Sequence, residues 1–546
     1  MTLTQDPQIQ DRLAKRLFPR LRTVAIAFLL IGVMLRVVFL EQEFFWGDEV
    51  LTALRISGYS EVTVVDQLYQ GQVLEAQDLQ AYQQPQASPG WGSVWAVLTD
   101  HPEHPPLYYV LNRVWTRLVG LWSDRPVPTV RSLSVVFSLA TLPLAFAWLR
   151  QCLSSRVAWM AIALMAVSPL HVLYAQEARQ YSLWMLLMVA SNWAVMRAVE
   201  QSTRARWGIY ALTAILGLYT HLLFSLVLLS QGIYVIASQG GRIGAIFWRY
   251  GQAIALALLA FSPWLWVIIT RFEGLQRTVQ QAQNHRSVID LVQDLSRLIN
   301  RVFFNADLTW ANGILVLLIG AVVYQLWRRS LTPATVLVLS LIVVPFMVLA
   351  IPDLITGSAQ SARVRYMIPA YLGIQWAIAL QFSQGIYTQQ RWQRSLGRFG
   401  WSLLLVGSVS GSLVGVYQTD VPWINGGKVR DYLAIAEVIN AQDAPRIVSD
   451  TRPVRAIALS YRLKPEVTLQ LFPPSVDQLA EITPSRLRDR TLAPISSRGM
   501  NLEAIEQETA WVVDPSPDFQ AHLASLGRLT MKHEGQHLQL WEWTRR

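Results

Sequence analysis

The sequence predicts a polytopic, all-α membrane protein with a small α/β domain at its C-terminal end, and three observations predict it. Charged residues are 15% of the chain and hydrophobic ones 52%, whereas soluble domains carry about 25% charged residues. Apolar runs near the roughly 17–25 residues that a bilayer crossing needs recur from residue 23 to residue 417. Beyond residue 419 that pattern gives way to short segments of mixed period. A net charge of +10 would suit nucleic acid, but the basic residues stand singly and in pairs between apolar runs, as in loops at a membrane face, so no nucleic-acid partner is expected. The single cysteine, Cys152, excludes an intrachain disulfide and a cysteine-rich metal cluster.

Residues 1–22 are polar and basic (Arg12, Lys15, Arg16, Arg20, Arg22), and no small-residue cleavage pattern follows the first apolar run. They read as a cytoplasmic N-terminus before a retained first helix. Spans are expected at 23–40, 127–149, 155–173, 182–199, 207–220, 221–238, 250–270, 311–327, 332–351, 366–386 and 400–417. The fifth and sixth are one apolar stretch broken only by "LYTHLLF"; at about 1.5 Å per residue it exceeds a hydrocarbon layer of roughly 30 Å, so two short helices or one long tilted helix would serve. The placement of arginine decides between them. With about eleven spans, the inside loops hold Arg150 and Arg156, Arg204 and Arg206, Arg242 and Arg249, Arg328 and Arg329, and Arg391, Arg394 and Arg398, whereas merging the two runs puts basic loops on both faces. Residues 23–418 then form the membrane module of a plasma (inner) membrane protein. The loops 41–126, 174–181, 271–310 and 352–365 and the tail 419–546 lie on the external, periplasmic side.

Within 41–126, "DEVLTALRISGY" and "PPLYYVLNRVWTRLVGLW" have the spacing of helices lying in the membrane interface. The Gln-rich stretch between them reads as a mobile loop. In the tail, "KVRDYLAIAEVINAQ" and "FQAHLASLG" read as helices, and "RIVSD", "EVTLQLF", "TAWVVD" and "HLQLWEWTRR" as strands. Together they make a small α/β domain that lids or braces the membrane part.

All the conspicuous polar groups fall on the external side in this topology. Asp48-Glu49 follows the first span beside Phe44, Phe45 and Trp46; "DHPEHPPLYY" carries His101, Glu103, His104 and Tyr108; "HVLYAQEARQYSLW" carries Glu177, Arg179 and Tyr181; His221 divides the fifth and sixth runs; "SARVRYMIPAY" carries Arg363, Arg365 and Tyr366. A carboxylate where the chain leaves lipid is inexpensive only if solvated or partnered, and such groups are commonly functional; the bland reading of Asp48 is an ordinary loop acid. Arg179 and Arg365 read either as headgroup anchors or as forks that bind phosphate oxygens bidentately. His101 and His104 read as caps or core hydrogen-bonders; with Glu103 they have a spacing that can hold an ion, but Pro102, Pro105 and Pro106 oppose a helical ligand pair, and no metal site is expected. Tyr108 and Tyr181 belong either to an interfacial aromatic belt or to a sugar-stacking wall. An acid that takes a hydroxyl proton, together with cations that stabilise a departing phosphate, fits glycosyl transfer from a lipid-phosphate sugar. The competing reading is a transporter or flippase of a lipid-linked or polar solute.

The order and position of "WGDE", "HPPLYY", "YAQEARQYSLW" and "RVRYMIPAY" resemble the membrane glycosyltransferases of family 39, the protein O-mannosyltransferase-like and aminoarabinose-transferase-like group with the GT-C fold, over residues 20–385. The resemblance implies an inverting transferase with a polyprenyl-phosphate sugar donor, an acceptor hydroxyl on a lipid, glycan or protein, and no cofactor in the catalytic step. It implies Asp48 as base or acceptor orienter with Glu49 as companion. It further implies His104, Pro105 and Pro106 as cavity-shaping, Glu177, Arg179 and Tyr181 near the donor, and Arg365 and Tyr366 at its phosphate.

Overall fold

The structure, a computed structural model, describes residues 7–84, 89–123, 125–272, 287–329, 331–388, 390–425, 427–483, 505 and 508–546. Residues 85–88 of the Gln-rich stretch and 273–286 of the loop expected at 271–310 lie outside the described residues. All eleven apolar runs are helical, but the count of spans needs correction. Seven helices are long and apolar enough to cross a membrane, or eight if the bent pair Ser155–Val167 and Pro169–Ala175 is one span. Arg204–Leu218 and Phe224–Ser238 have 15 residues each, about 22 Å of helix at 1.5 Å per residue and short of a roughly 30 Å layer. The break at "LYTHLLF" is therefore real, and neither half is a full crossing. Ile368–Ile386 is long enough but carries Gln375, Gln381 and Gln384 and is buried over most of its length. It is a core helix wrapped by its neighbours.

The bent pair turns by 55° at Ser168, whose backbone is extended (ψ 132°) before Pro169, as a residue ahead of proline prefers. Ser168 Oγ donates to the Val302 carbonyl at 2.7 Å and accepts from Gln375 Nε2 at 2.9 Å, while His171 Nε2 shares a hydrogen bond with Gln375 Oε1 at 2.8 Å. This network satisfies the polar groups that the bend exposes inside the bundle, and it carries residues 169–180 across the end of the bundle.

The basic loops share the opposite end. Helix Pro126–Cys152 begins beside the first loop, through Arg131, and ends where Gln151 donates to Glu200. Nearby, Arg249 donates to Ser202, Arg329 donates to Gln384, and Arg156 lies 4.5 Å over the Tyr387 ring.

The α/β part is one sheet of six strands: β1 (Val73–Glu75), β2 (Arg446–Ser449), β3 (Thr468–Leu471), β4 (Thr509–Val513), β5 (Gly527–Glu534) and β6 (Gln539–Arg545), in the order β1-β3-β2-β4-β6-β5. β2 is parallel to both β3 and β4, and the remaining pairs are antiparallel. The four tail strands expected from the sequence are present, and β5 joins them. The Gln-rich stretch is not merely a mobile loop: it supplies β1, with Leu74 opposite Leu469, and the short helix Ala76–Gln80. The first loop and the tail thus fold together, around a shared core that includes Phe44, Val50, Leu54, Leu74, Ile457 and Leu469. For the same reason helix Gly47–Ser57 does not lie flat in the interface. It is buried on nearly every side, against helices Leu107–Val119 and Pro453–Ser460.

Candidate active site

Asp48 and Glu49 occupy the first turn of helix Gly47–Ser57, where unpaired backbone N–H groups favour anions. Consecutive helical residues point about 100° apart, so the pair divides. Glu49 turns inward: its carboxylate accepts from Arg131 Nε at 2.8 Å, from Arg131 Nη2 at 2.6 Å and from the Ala178 N–H at 2.8 Å, with both side chains buried. Arg131 also donates to the carbonyls of Leu40, Glu43 and Phe44, so this pair fixes the exit of the first helix to the second span and to the turn at 176–180.

Asp48 turns outward and keeps 26% of its side chain exposed. Arg365 Nη1 donates to Asp48 Oδ2 at 2.8 Å, and Arg179 Nη2 stands 3.7 Å from the same oxygen. Burial opposes ionisation of Asp48, but Arg179, Arg365, Lys428 and Arg55 outweigh it and hold the carboxyl below its ordinary range. Arg179 is held in turn by Thr52 Oγ1 at 3.4 Å and the Tyr109 hydroxyl at 3.3 Å, and Arg55 reaches that hydroxyl at 3.3 Å. Arg365 stands on a 3-10 turn, Val364–Met367, at the mouth of helix Ile368–Ile386, its guanidinium 5.7 Å from the Tyr366 ring centre.

These groups open on a cavity of about 500 Å³ between the bundle and the first residues of the tail. Arg297, Arg301, Arg363, Arg365 and Lys428 line it against two carboxylates, Asp48 and Asp294. Trp46, Tyr174 and Trp423 add aromatic wall. Arg297 and Arg301 are one helical turn apart on the amphipathic helix Val288–Phe304, whose start is fixed by a Ser287–Asp290 capping box. That helix sits close against Arg391–Tyr417 because residue 411 is glycine: a Cβ there would collide with the Phe304 backbone. Burial lowers the pKa of Lys428, an effect that Asp48 opposes. The sum is an anion-attracting pocket whose one well-placed carboxylate is already charged.

The other expected residues divide. Tyr181 is buried beside Arg179, its ring 6.0 Å from the guanidinium carbon, and Tyr366 accepts from Arg363 at 3.4 Å. Glu177 is buried with one carboxylate oxygen lacking a partner among the described residues; burial, then Glu49, Asp48 and Glu43, push its pKa well above the carboxylate range despite Arg179. His101 and His104 both approach Glu103 Oε1, at 3.6 and 3.9 Å, and burial together with Arg55, Arg179 and His101 keeps His104 neutral. Tyr108 is buried and braces the bundle through Ser134 at 2.8 Å and Asn112 at 3.1 Å. Its neighbour Tyr109 makes the contact with Arg179. His221 stacks on Trp184 at 4.1 Å, with burial, Arg179 and Arg365 pushing its pKa down to about 3. Sequence reasoning missed Thr52, Arg55, Tyr109 and Arg131, and also Arg297, Arg301 and Lys428. The i,i+4 arginines of an amphipathic helix were the available signal for two of them.

The described residues thus form a bundle of membrane helices whose first loop carries a carboxylate gripped by arginines, covered by an α/β sheet. The family model described as dolichyl-phosphate-mannose-protein mannosyltransferase matches residues 103–267. The fold is shared with the ArnT of Cupriavidus metallidurans: the apo structure superposes with a TM-score of 0.51 at 12% identity, and the structure bound to undecaprenyl phosphate with 0.52 at 12% identity. In both comparisons the match covers 95% of this chain and 97% of the other. The oligosaccharyltransferase of Archaeoglobus fulgidus, in complex with zinc and sulfate, matches with a TM-score of 0.45 at 10% identity, over 96% of this chain and 73% of that one. No curated protein matches in sequence. The GT-C resemblance read from the four motifs therefore holds at the level of the fold.

Proposed function

We propose that this protein transfers a sugar from a polyprenyl-phosphate donor to an acceptor hydroxyl at the external, periplasmic face of the membrane, with inversion at the anomeric carbon. The observation that carries the reading is Asp48 held at 2.8 Å by Arg365 inside a pocket with five cationic side chains. Undecaprenyl phosphate in the ArnT structure of the same fold supports a carrier of that kind. The donor phosphate competes with Asp48 for Arg365, with Arg301 and Lys428 supplying further positive charge. As Arg365 swings to the phosphate, Asp48 loses part of the field that depresses its pKa and becomes a better proton acceptor. The acceptor oxygen attacks the anomeric carbon and Asp48 takes its proton. The bond to the phosphate oxygen breaks, and the phosphate leaves with the electron pair, stabilised by the cations. Arg179, locked by Thr52 and Tyr109, keeps Asp48 in register throughout. Glu49 acts as a positioning residue through Arg131.

The test is deletion of the gene, mass spectrometry of glycolipids and surface glycans, and complementation with wild type or Asp48→Asn. A sugar lost on deletion, restored by wild type and not by an equally expressed Asp48→Asn protein is the expected outcome. Full restoration by Asp48→Asn removes Asp48 from the chemistry, and an unchanged glycan profile on deletion overturns the transfer reading.

A further inference from the structure

The segment that carries Asp48 into one cavity also lines another. Glu43 and Phe45 line a separate opening of about 400 Å³, bounded by helix Ala76–Gln80 and by Ser460, Tyr461, Arg462, Leu463 and Pro465 of the α/β domain. Glu43 is 4% exposed, and neither of its carboxylate oxygens has a hydrogen-bond partner among the described residues. A buried carboxyl without partners is costly, so its retention at the wall of a cavity points to a ligand that completes it. The other groups narrow the ligand's class. Phe45 and Tyr461 form an edge-on aromatic pair, 5.0 Å between ring centres, and Gln77 and Gln80 add amides that both donate and accept.

Two nearby arginines have partners of their own. Arg125 pairs with Glu41, and Arg462 donates to the Gln42 carbonyl at 3.0 Å with its guanidinium over Phe44. Glu75, the remaining charged group of the lining, caps its own helix. Among the lining residues Arg462 is the one cation, in contrast to five at the Asp48 cavity. Aromatic wall, amides and an unpartnered carboxyl are the elements that bind sugar hydroxyls.

We propose that this second cavity is a saccharide subsite for an uncharged, polyhydroxylated ring, whose hydroxyls hydrogen-bond to Glu43 while the ring packs on Phe45 and Tyr461. Under the glycosyl-transfer reading it holds the acceptor glycan beside the first loop, and it selects acceptors without phosphate near the transferred position. Burial chiefly, then Glu49 and Asp420, raise the pKa of Glu43 to about 8 against the pull of Arg131, so the acid enters as donor and acceptor together.

The experiment uses the full chain in lipid nanodiscs, with maltotriose, chitotriose and glucose 6-phosphate as probes in saturation-transfer NMR and titration calorimetry. At least one neutral trisaccharide is expected to bind, and glucose 6-phosphate more weakly. Glu43→Leu and Tyr461→Ala should weaken binding tenfold or more, and the surface variant Gln77→Ala, which leaves the core untouched, several-fold. Asp48→Asn should bind like wild type, so failure of the catalytic reading and failure of this one are separable. Absence of binding by both trisaccharides, preference for the sugar phosphate, or binding undiminished in Tyr461→Ala and Gln77→Ala overturns the proposal.

Discussion

Replacing Glu49 by alanine separates position from chemistry in the acidic pair. The substitution removes two short hydrogen bonds from Arg131, at 2.8 and 2.6 Å, and one from the Ala178 N–H. It leaves a guanidinium in a site where both side chains are at most 1% exposed. Breaking a buried ion pair on one side costs about 3–5 kcal/mol. The carbonyls of Leu40, Glu43 and Phe44 still accept from Arg131, which puts the charge at the lower end, near 3, and the orphaned amide adds about 1. A loss of about 4 kcal/mol is the expectation, read as a lowered midpoint in thermal denaturation of the purified protein in nanodiscs. The pair replaced on both sides, Glu49→Leu with Arg131→Met, should recover most of that midpoint, because no uncompensated charge remains. Asp48→Asn, whose carboxylate is 26% exposed, should lose less than Glu49→Ala. If Glu49→Ala melts with wild type and has nevertheless lost transfer, Glu49 takes part in the reaction and its assignment as a positioning residue is wrong.

Arg365→Ala should weaken donor use by about tenfold or more in kcat/KM, since a charge-assisted hydrogen bond is worth about 1.5–3 kcal/mol, and Arg365→Lys should recover only part because the fork is lost; equal kinetics in all three proteins would remove Arg365 from the phosphate site. The depressed pKa of Asp48 means that its charged form persists as pH falls past the ordinary aspartate value of about 3.9 and is lost only as pH passes through the lower folded value. The acid limb of the free enzyme's pH–rate profile should therefore lie below that value and move upward in Arg365→Ala, and a limb unmoved by that change would contradict the pairing. Glu177 has the opposite sign: its raised folded pKa gives stability that is complete below the unfolded value of about 4.3 and declines as pH rises toward the folded value. Glu177→Gln should melt higher than wild type at pH 8–9 and the same at pH 4. Gly411→Val should lower the melting midpoint and donor affinity together, because it displaces the helix bearing Arg297 and Arg301; loss of stability with normal donor affinity would separate that helix from the site.

Much of the bundle was legible because lipid imposes one strong rule, a long apolar helix, and all eleven runs are helices. Whether each crosses was not legible, because crossing depends on neighbours: Ile368–Ile386 keeps its glutamines by hydrogen-bonding Gln375 to Ser168 and His171 inside the bundle. β1 was hidden for a related reason. Three residues of a Gln-rich stretch have no strand signal of their own, and the partner strand lies almost four hundred residues away. At the site, Asp48, Arg179 and Arg365 were found by residue type and meet as expected. Phase was not legible: Glu49 pairs with Arg131 and Tyr108 with Ser134, while their neighbours Asp48 and Tyr109 contact Arg365 and Arg179, because sequence adjacency on a helix places neighbours on different faces. Lys428 was read only as the start of a tail helix, and Arg297 and Arg301 were lost inside a segment treated as loop.

Phase also lets one short segment line two cavities. Between Glu43 and Asp48 the chain presents Glu43 and Phe45 to one cavity and Trp46 and Asp48 to another, and Arg131 holds the backbone between them by three carbonyls. The cavities differ in charge in the sense that transfer needs. Five cations face two carboxylates in the Asp48 cavity, whereas carboxylates outnumber cations around Glu43. Because Arg131 joins both walls to Glu49, a change in that ion pair should disturb donor and acceptor affinities together. Substitutions at Arg365 or Tyr461 should disturb only one.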